Sequence, residues 1–142
     1  MQKIEVKIKK LHPEAKIPTY GSDQSAGFDI YAIDNLDIQP KETKKIPTGL
    51  AFELSENYHL QIWNRSSFGS KGIHHSAGIV DSDYRGELSI ILHNSTNEVF
   101  KIEKGHRIAQ VLVIPAIQAN FTETETLNET QRGTGGFGST GK

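Results

Sequence analysis

The stretch Gly78-Ile79-Val80-Asp81-Ser82-Asp83-Tyr84-Arg85-Gly86 decides how the rest of the chain is interpreted. Two apolar residues precede two carboxylates, a tyrosine and an arginine, and the run from Leu88 to Leu92 follows as a predicted strand. Polar chemistry held at the end of a rigid element is typical of a binding or catalytic site. A solvated loop with a surface Asp–Arg pair is the alternative that this stretch alone leaves open.

The composition sets the broad class of protein. The 142 residues suffice for one domain with its own core. A net charge of -1 gives no strong basic field for duplex nucleic acid. The absence of cysteine excludes disulfides, thiolate zinc sites and cysteine nucleophiles. No apolar run reaches membrane-spanning length and no signal peptide is evident, so we expect a cytoplasmic protein without a membrane or nucleic-acid partner.

The chain on both sides of this stretch predicts many short strands and frequent turns. Ile4, Val6 and Ile8 alternate with polar residues, which is the period of a half-buried strand. Further predicted strands run from Ile46 to Leu54, from Tyr58 to Trp63, and from His106 to Ile117 with an interruption at Pro115. Because no amphipathic helix of normal length is present, the pattern predicts an all-β barrel or sandwich.

The C-terminal residues differ in composition from the rest. Residues 122–130 are mostly threonine and glutamate, and residues 131–142 contain five glycines, which cannot sustain a helix or a packed strand. We therefore expect a β domain over residues 1–121 and a flexible glycine-rich arm over residues 122–142. A disordered tail is the alternative.

Two motifs are misleading. Residues 133–138 fit the dinucleotide pattern G-x-G-x-x-G, but no strand precedes them and no helix follows. His74 and His75 suggest a metal site, yet adjacent strand residues point to opposite faces and cannot readily bind one ion.

Phosphate-binding chemistry occurs twice. The segment Arg65-Ser66-Ser67-Phe68-Gly69 combines a guanidinium, two hydroxyls and a glycine, groups that can hold phosphate oxygens. Arg132, Ser139 and Thr140 repeat these groups near the C-terminus, with Phe137 as a flat stacking surface. Together with an aspartate, these features suggest a hydrolase of nucleotide polyphosphates.

The chain resembles the trimeric deoxyuridine triphosphatases (dUTPases) in five blocks over nearly its whole length. In order they are residues 25–32 (SAGFDIYA), 65–69 (RSSFG), 77–86 (AGIVDSDYRG), 105–110 (GHRIAQ) and 132–140 (RGTGGFGST). The resemblance implies a jelly-roll-like β fold and a homotrimer that hydrolyses dUTP to dUMP and pyrophosphate with Mg²⁺. Such a reaction keeps uracil out of DNA and supplies dUMP for thymidylate synthesis. It also implies that each active site draws on three subunits, with the C-terminal arm closing over it.

The resemblance also implies roles for individual residues. Asp81 matches the carboxylate that activates water for attack on the α-phosphate, and Gln110 matches a residue that positions this water. Arg65 is expected in catalysis and, with Ser66, Ser67 and Gly69, in phosphate binding. Tyr84 matches the ring that stacks under the deoxyribose. The hairpin that includes His75, Gly78, Ile79 and Val80 matches the segment whose backbone groups bind the uracil edge. The arm would contribute Arg132, Phe137, Gly138, Ser139 and Thr140.

The metal and one aspartate complete the expectations. Mg²⁺ would bind through substrate phosphates and water, without a direct protein ligand. Asp29 would orient polar groups or metal-bound waters, or else form a structural salt bridge.

Two alternative functions stay open at this point. A dCTP deaminase of the related fold would use Glu87 as its carboxylate, and the third block alone does not distinguish it. A non-catalytic nucleotide-binding module would need neither Asp81 nor Gln110.

Overall fold

The protein is almost entirely β-structure in the computed structural model, which describes residues 3–138. Its strands are β1 (Lys7–Lys10), β2 (Thr19–Tyr20), β3 (Phe28–Tyr31), β4 (Leu36–Ile38), β5 (Thr43–Pro47), β6 (Leu50–Glu53), β7 (Tyr58–Trp63), β8 (Ile73–Ser76), β9 (Ile79–Val80), β10 (Ser89–Asn94), β11 (Phe100–Ile102) and β12 (Arg107–Pro115). A short helix, α1 (Ser66–Gly69), follows β7. In the described part of the chain, no helix has the length and apolar character needed to span a bilayer. The all-β prediction is confirmed.

The longest strand, β12, is the centre of the largest sheet. It lies between β3 and β7 in a five-stranded antiparallel sheet of order β2-β3-β12-β7-β9. A three-stranded sheet, β5-β10-β8, and the pairs β1-β6 and β11-β4 complete the fold. The inward-facing residues of these strands form one core. Its fully buried aliphatic side chains include Ile30, Leu60, Ile73, Ile90, Leu92 and Val111. Each contributes about 1.5–3 kcal/mol by leaving water.

A β-bulge near the start of β12 reorients one arginine. Arg107 pairs with Tyr31 and Ala109 with Ile30, so Ile108 is an extra residue in the ladder. Strict alternation would place Arg107 on the inner face with Ala109 and Val111. Because of the bulge, Ile108 and Ala109 are both buried and Arg107 is exposed on the outer side.

The predicted strand from Ile46 to Leu54 is wrong as a single element. The chain breaks at Thr48 and Gly49, between β5 and β6, and the two strands pair in different sheets. Gly49 has φ +68, and a Cβ on it would lie 2.8 Å from the Cβ of His12. Only glycine therefore allows the segment around His12 to pack this close to the β5–β6 break. Thr48 is buried, and its hydroxyl donates to the carbonyl of Leu88 at 2.6 Å.

The ends of the chain also differ from a simple strand pattern. Ile4, Val6 and Ile8 are partly buried as expected, but strand pairing begins only at Lys7, opposite Glu53 of β6. After Pro115, residues 116–138 form neither strand nor helix, and nearly all their side chains are exposed. Ser139 and Thr140 lie outside the described residues.

Candidate active site

A cationic depression, here called the arginine groove, lies beside the end of β7. Its charged lining comprises Lys16, Asp29, Arg65, Lys71, Lys101, His106 and Arg107, and Ser67 adds a hydroxyl. Asp29 is the one acidic residue in this described lining, and Lys101 is paired with Asp37 at 3.1 Å. The groove therefore carries an excess of positive charge, which suits a polyanionic ligand.

Arg65 begins the tight turn that forms one wall of the groove. Its carbonyl accepts the N–H groups of Phe68 and Gly69, both at 2.9 Å, so the backbone donor of Gly69 is used within the turn. Phe68 anchors the turn in the core, packing edge-on against Phe100 with ring centroids 5.1 Å apart. With Phe68 pointing inward, the Ser66 and Ser67 side chains are left exposed at the surface.

The Arg65 guanidinium is held by backbone rather than by a carboxylate. Its Nη1 donates to the carbonyl of Arg107 at 2.7 Å. Burial lowers the pKa of Arg65, the neighbouring charge of Arg107 lowers it further, and Asp29 opposes both. Arginine nevertheless stays protonated at neutral pH. The charge is thus incompletely balanced, and a bound anion would stabilise it.

Gln110 and Asp29 are direct neighbours across the sheet. Gln110 of β12 lies opposite Asp29 of β3 on one side and Trp63 of β7 on the other. Asp29 Oδ2 accepts from Arg107 Nη1 at 3.4 Å, so the salt bridge expected as one role of Asp29 is present. Gln110 Nε2 donates to the carbonyl of Asn64 at 2.9 Å. The antiparallel register and the bulge thus bring these residues together beside Arg65.

A second depression, here called the tyrosine cleft, contains the central stretch. Asp81, Tyr84 and Glu87 line it, together with Ile79, Val80 and several core-edge residues. Asp81 is exposed, and its carbonyl accepts the N–H of Tyr84 at 3.2 Å, which closes a turn. The Tyr84 hydroxyl donates to the carbonyl of Glu87 at 3.1 Å. The Glu87 carboxylate accepts the N–H of Gly49 at 2.7 Å, so it ties the turn to the β5–β6 break.

The hairpin between β8 and β9 has an unusual backbone. Ala77 has φ +63, a left-handed conformation that costs a non-glycine residue about 1 kcal/mol or more. The next residue, Gly78, approaches β7 closely, since its carbonyl accepts the N–H of Ile62 at 2.7 Å. The outcome is a tight loop whose tip, Ala77, is exposed.

The two histidines of β8 face different neighbours. His74 pairs with His93, whereas His75 pairs with Leu92 and lies near Trp63, with ring centroids 6.3 Å apart. Within residues 3–138, no three histidine or carboxylate side chains are grouped so that they could hold a metal ion.

The predicted catalytic residues of one chain do not meet in one depression. The arginine groove and the tyrosine cleft have no lining residue in common. Val80 lies opposite Leu60, three residues before the end of β7 at Trp63, which is roughly 10 Å of strand, and Arg65 lies in the turn beyond that end. Asp81 continues beyond Val80, away from Arg65.

The described arm residues do not touch either depression. Arg132 Nε donates to the carbonyl of Gly135 at 2.8 Å, a contact within the arm. Phe137 is fully exposed with φ +51, and Gly138 follows with φ +91. A flat ring without packing partners in the described chain is available for an external surface.

Some residues of the groove were missed by sequence reasoning. Arg107 lies in the fourth block but received no role of its own, and neither did Lys16 or Lys71. Lys16 Nζ lies 3.8 Å from the centre of the Tyr31 ring, a cation–π contact that sequence spacing cannot reveal.

Comparison with known proteins agrees with this geometry. The sequence model of the dUTPase family matches residues 13–141. The deoxyuridine 5'-triphosphate nucleotidohydrolase of Nautilia profundicola is 48% identical over 142 residues, covering 98% of this chain and 100% of the relative. That of Wolinella succinogenes is 46% identical over 145 residues, covering 100% and 97%.

A solved structure agrees as well. A mutant dUTPase of Staphylococcus bacteriophage 80alpha, determined with dUpNHpp, superposes with a TM-score of 0.91 at 25% identity, covering 97% of this chain and 99% of that one. The five blocks, the jelly-roll-like β fold and these relatives agree along the whole chain. The chain therefore belongs to the dUTPase family, the enzymes that hydrolyse dUTP.

Proposed function

We propose that this dUTP diphosphatase works through a water molecule activated by Asp81 and directed at the α-phosphorus of dUTP. As the water oxygen bonds to phosphorus, its proton passes to the Asp81 carboxylate. The bond from the α-phosphorus to the bridging oxygen breaks, its electron pair stays on the pyrophosphate, and dUMP remains. A general base needs a carboxylate that can come within hydrogen-bond reach of the water, and the Asp81 carboxylate is exposed in the tyrosine cleft.

The observation that carries this proposal is the separation of the two depressions. The arginine groove contains Arg65, and Gln110 bonds to the carbonyl of the preceding residue, Asn64, whereas Asp81 and Tyr84 lie in the other depression. One phosphate must be reached by both sets of groups. This supports a homotrimer in which the groove of one subunit faces the cleft of the next, with the third subunit contributing the arm.

The groove would bind the triphosphate. The Arg65 guanidinium, the Ser66 and Ser67 hydroxyls and the turn at Gly69 are expected to contact phosphate oxygens. Mg²⁺, when bound, would neutralise part of the phosphate charge. The groove has a single carboxylate, Asp29, amid cations, so substrate phosphate oxygens and water would supply the ligands of that ion, with Asp29 contacting a bound water.

The cleft and the hairpin would select the nucleoside. The Tyr84 ring would lie beneath the deoxyribose and leave no room for a 2′-hydroxyl. Backbone groups around His75, Gly78, Ile79 and Val80 would bind the uracil edge, and the exposed tight loop at Ala77 is consistent with that role. Cytosine reverses the donor and acceptor at this edge. It would leave buried groups unpaired, which discriminates by about 10⁴-fold.

The arm over residues 122–142 would close over the site of another subunit. Phe137 would stack on uracil, and Arg132 with Gly138 and the two following hydroxyl residues would contact phosphate. Ordering such a segment costs ~1–2 kcal/mol per residue, which the bound triphosphate would offset. A cytoplasmic location stays a prediction from the sequence.

A substrate panel tests the proposed function. Pyrophosphate release is measured with dUTP, dTTP, dCTP and UTP in the presence of Mg²⁺, for the wild type and for Asp81→Asn. We expect turnover of dUTP alone, and a ~10²–10⁴-fold lower kcat for Asp81→Asn with KM much less affected, because the amide cannot accept the proton.

Three results would contradict the proposal. Normal turnover by Asp81→Asn would remove Asp81 from the role of base. Ammonia release from dCTP would favour a deaminase, although Glu87 is already bonded to Gly49. Binding of dUTP without pyrophosphate release would indicate a non-catalytic module.

A further inference from the structure

Asn64 connects three elements next to the arginine groove. It lies between the end of β7 and the start of α1, and it is half-buried. Its side-chain Nδ2 donates to the carbonyl of Ile73 at 2.7 Å, and its Oδ1 accepts the N–H of Arg65 at 3.1 Å. Its backbone carbonyl accepts Nε2 of Gln110 at 2.9 Å. One residue therefore contacts the first residue of β8, the phosphate-binding turn and the centre of β12.

The side-chain contacts determine where the backbone carbonyl points. Asn64 lies just past the last strand residue, Trp63, so no sheet ladder fixes its peptide group. The bond from Nδ2 to Ile73 attaches the side chain to a fully buried residue at the start of β8. Gly69 allows this arrangement, because a Cβ there would already lie 3.3 Å from Nδ2.

The orientation of the Gln110 amide follows from this carbonyl. Because Nε2 is bonded to a carbonyl, the amide oxygen is the end left for other partners. The Gln110 amide oxygen has no protein hydrogen-bond partner among residues 3–138. Every buried side-chain nitrogen or oxygen in that range has a partner, so this oxygen is accessible. An accessible acceptor beside Arg65 can orient a water by accepting one of its hydrogens.

We propose that Asn64 is a positioning residue for the reaction. It holds its carbonyl against Gln110, so that the Gln110 oxygen faces the attacking water, and it fixes the N–H of Arg65 at the start of the phosphate-binding turn. This inference rests on the roles given to Gln110 and Arg65 under the proposed function. Without the Asn64 side chain, its backbone carbonyl is no longer held in one direction, and the Gln110 amide loses the fixed acceptor that sets its orientation.

The first test is the kinetics of two Asn64 variants with dUTP. Asn64→Ala removes both side-chain contacts. Asn64→Asp keeps the acceptor for Arg65 but places an oxygen against the Ile73 carbonyl, so the tether is lost with little change in volume. We expect kcat to fall ~10- to 100-fold in both, as for a displacement of about 1 Å, with a smaller change in KM. Asn57→Ala is the matched control and should behave as wild type, because Asn57 is exposed and its side chain bonds only to Ser55 within the described residues.

The second test is a double-mutant cycle with Gln110→Ala. If Asn64 acts on kcat through Gln110, adding Asn64→Asp, which keeps the acceptor for Arg65, to Gln110→Ala will lower kcat by less than threefold beyond the single variant. If Asn64 merely stabilises the fold, the two losses will multiply and the melting temperature will fall in parallel. Multiplying losses, or wild-type kcat in both Asn64 variants, would overturn the inference.

The same measurements separate this inference from the proposed function. Wild-type turnover by Gln110→Ala would overturn the assignment of Gln110 and the present inference with it. A slow Gln110→Ala beside fully active Asn64 variants would overturn only the inference about Asn64.

Discussion

The position of the Tyr84 ring depends on a residue that has no side chain. The ring folds back over Gly86, and a Cβ built on Gly86 would lie 2.5 Å from Cζ and 2.9 Å from Cε2 of Tyr84. Carbon atoms in contact stay about 3.5–4.0 Å apart, so the ring cannot keep its place beside any larger residue. Its hydroxyl bond to the carbonyl of Glu87 would be lost as well.

Gly86→Ala should therefore impair the selection of sugar by Tyr84. A ring displaced by about 1 Å predicts a 10- to 100-fold lower kcat/KM for dUTP and a smaller preference for dUTP over UTP. The measurement is kcat/KM for both nucleotides. Asp83→Asn, an exposed change in the same turn, is the control. An unchanged dUTP-to-UTP ratio in Gly86→Ala would show that Tyr84 does not select the sugar.

At the level of elements, β12 builds the site by an irregularity. The extra residue Ile108 places Arg107 on the same side as Asp29, at 3.4 Å, while Gln110 keeps its outward position two residues after Ile108. The Arg107 carbonyl then accepts a hydrogen bond from the Arg65 guanidinium. A regular strand would have buried the Arg107 charge against Ala109 and Val111, at a cost of several kcal/mol.

The pair of β1 and β6 should show a defined pH dependence. Lys7 donates to Glu53 at 2.8 Å. That hydrogen bond and the charge of Lys7 lower the pKa of Glu53 from 4.5, and the same contact raises the pKa of Lys7 from 10.5. A lowered carboxyl pKa stabilises the fold above 4.5 and stops doing so as pH falls through the folded value. A raised lysine pKa stabilises below 10.5 and stops doing so as pH rises through the folded value.

Glu53→Gln should accordingly lower the melting temperature most between about pH 4.5 and 10.5, and progressively less as pH moves outside that window. Both side chains are exposed, so the expected loss is no more than a few degrees at low salt. Thermal unfolding at pH 3, 7 and 11 measures it, with Glu56→Gln as the control. A loss of equal size at pH 3 and pH 7 would mean that the ion pair is not its cause.

For the whole molecule, the main observation is that Arg65 and Asp81 of one chain lie in two separate depressions. Arg65 lies in the arginine groove and Asp81 in the tyrosine cleft, and roughly 10 Å of strand β7 and the following turn separate Arg65 from the position opposite Val80. A general base must be within hydrogen-bond reach of the water it activates, and that water must reach a phosphate held by Arg65. Association of several copies meets both requirements.

Mixing two inactive variants tests this arrangement. Arg65→Ala and Asp81→Asn are each purified, combined in equal amounts and allowed to exchange subunits. Random assembly places an intact Arg65 next to an intact Asp81 at about a quarter of the sites in a cyclic trimer, so about a quarter of wild-type activity should return. Mass spectrometry confirms exchange. If exchanged mixtures stay inactive, Arg65 and Asp81 act within one chain.

Much of this protein could be predicted from its sequence because the relevant signals are local. Alternating apolar residues, frequent turns and the lack of a long amphipathic helix predicted the all-β fold, and the strand from Tyr58 to Trp63 was found as predicted. Five short blocks in order were enough to indicate the family. Such features depend on residues close together in the chain, where side-chain type and spacing determine the local conformation.

Only the tertiary structure decided which of these groups meet. The break at Gly49 follows from the approach of His12, and the outward turn of Arg107 follows from a bulge whose extra residue is set by pairing with β3. Asn64 makes its contacts to Ile73 and Gln110 because strands β8 and β12, which are distant from each other in sequence, both lie beside it. Register between strands depends on the packing of the whole core. The sequence by itself determined the fold class and the chemistry. Because register is not a local property, only the three-dimensional structure determined that Arg65 and Asp81 of one chain lie in separate depressions.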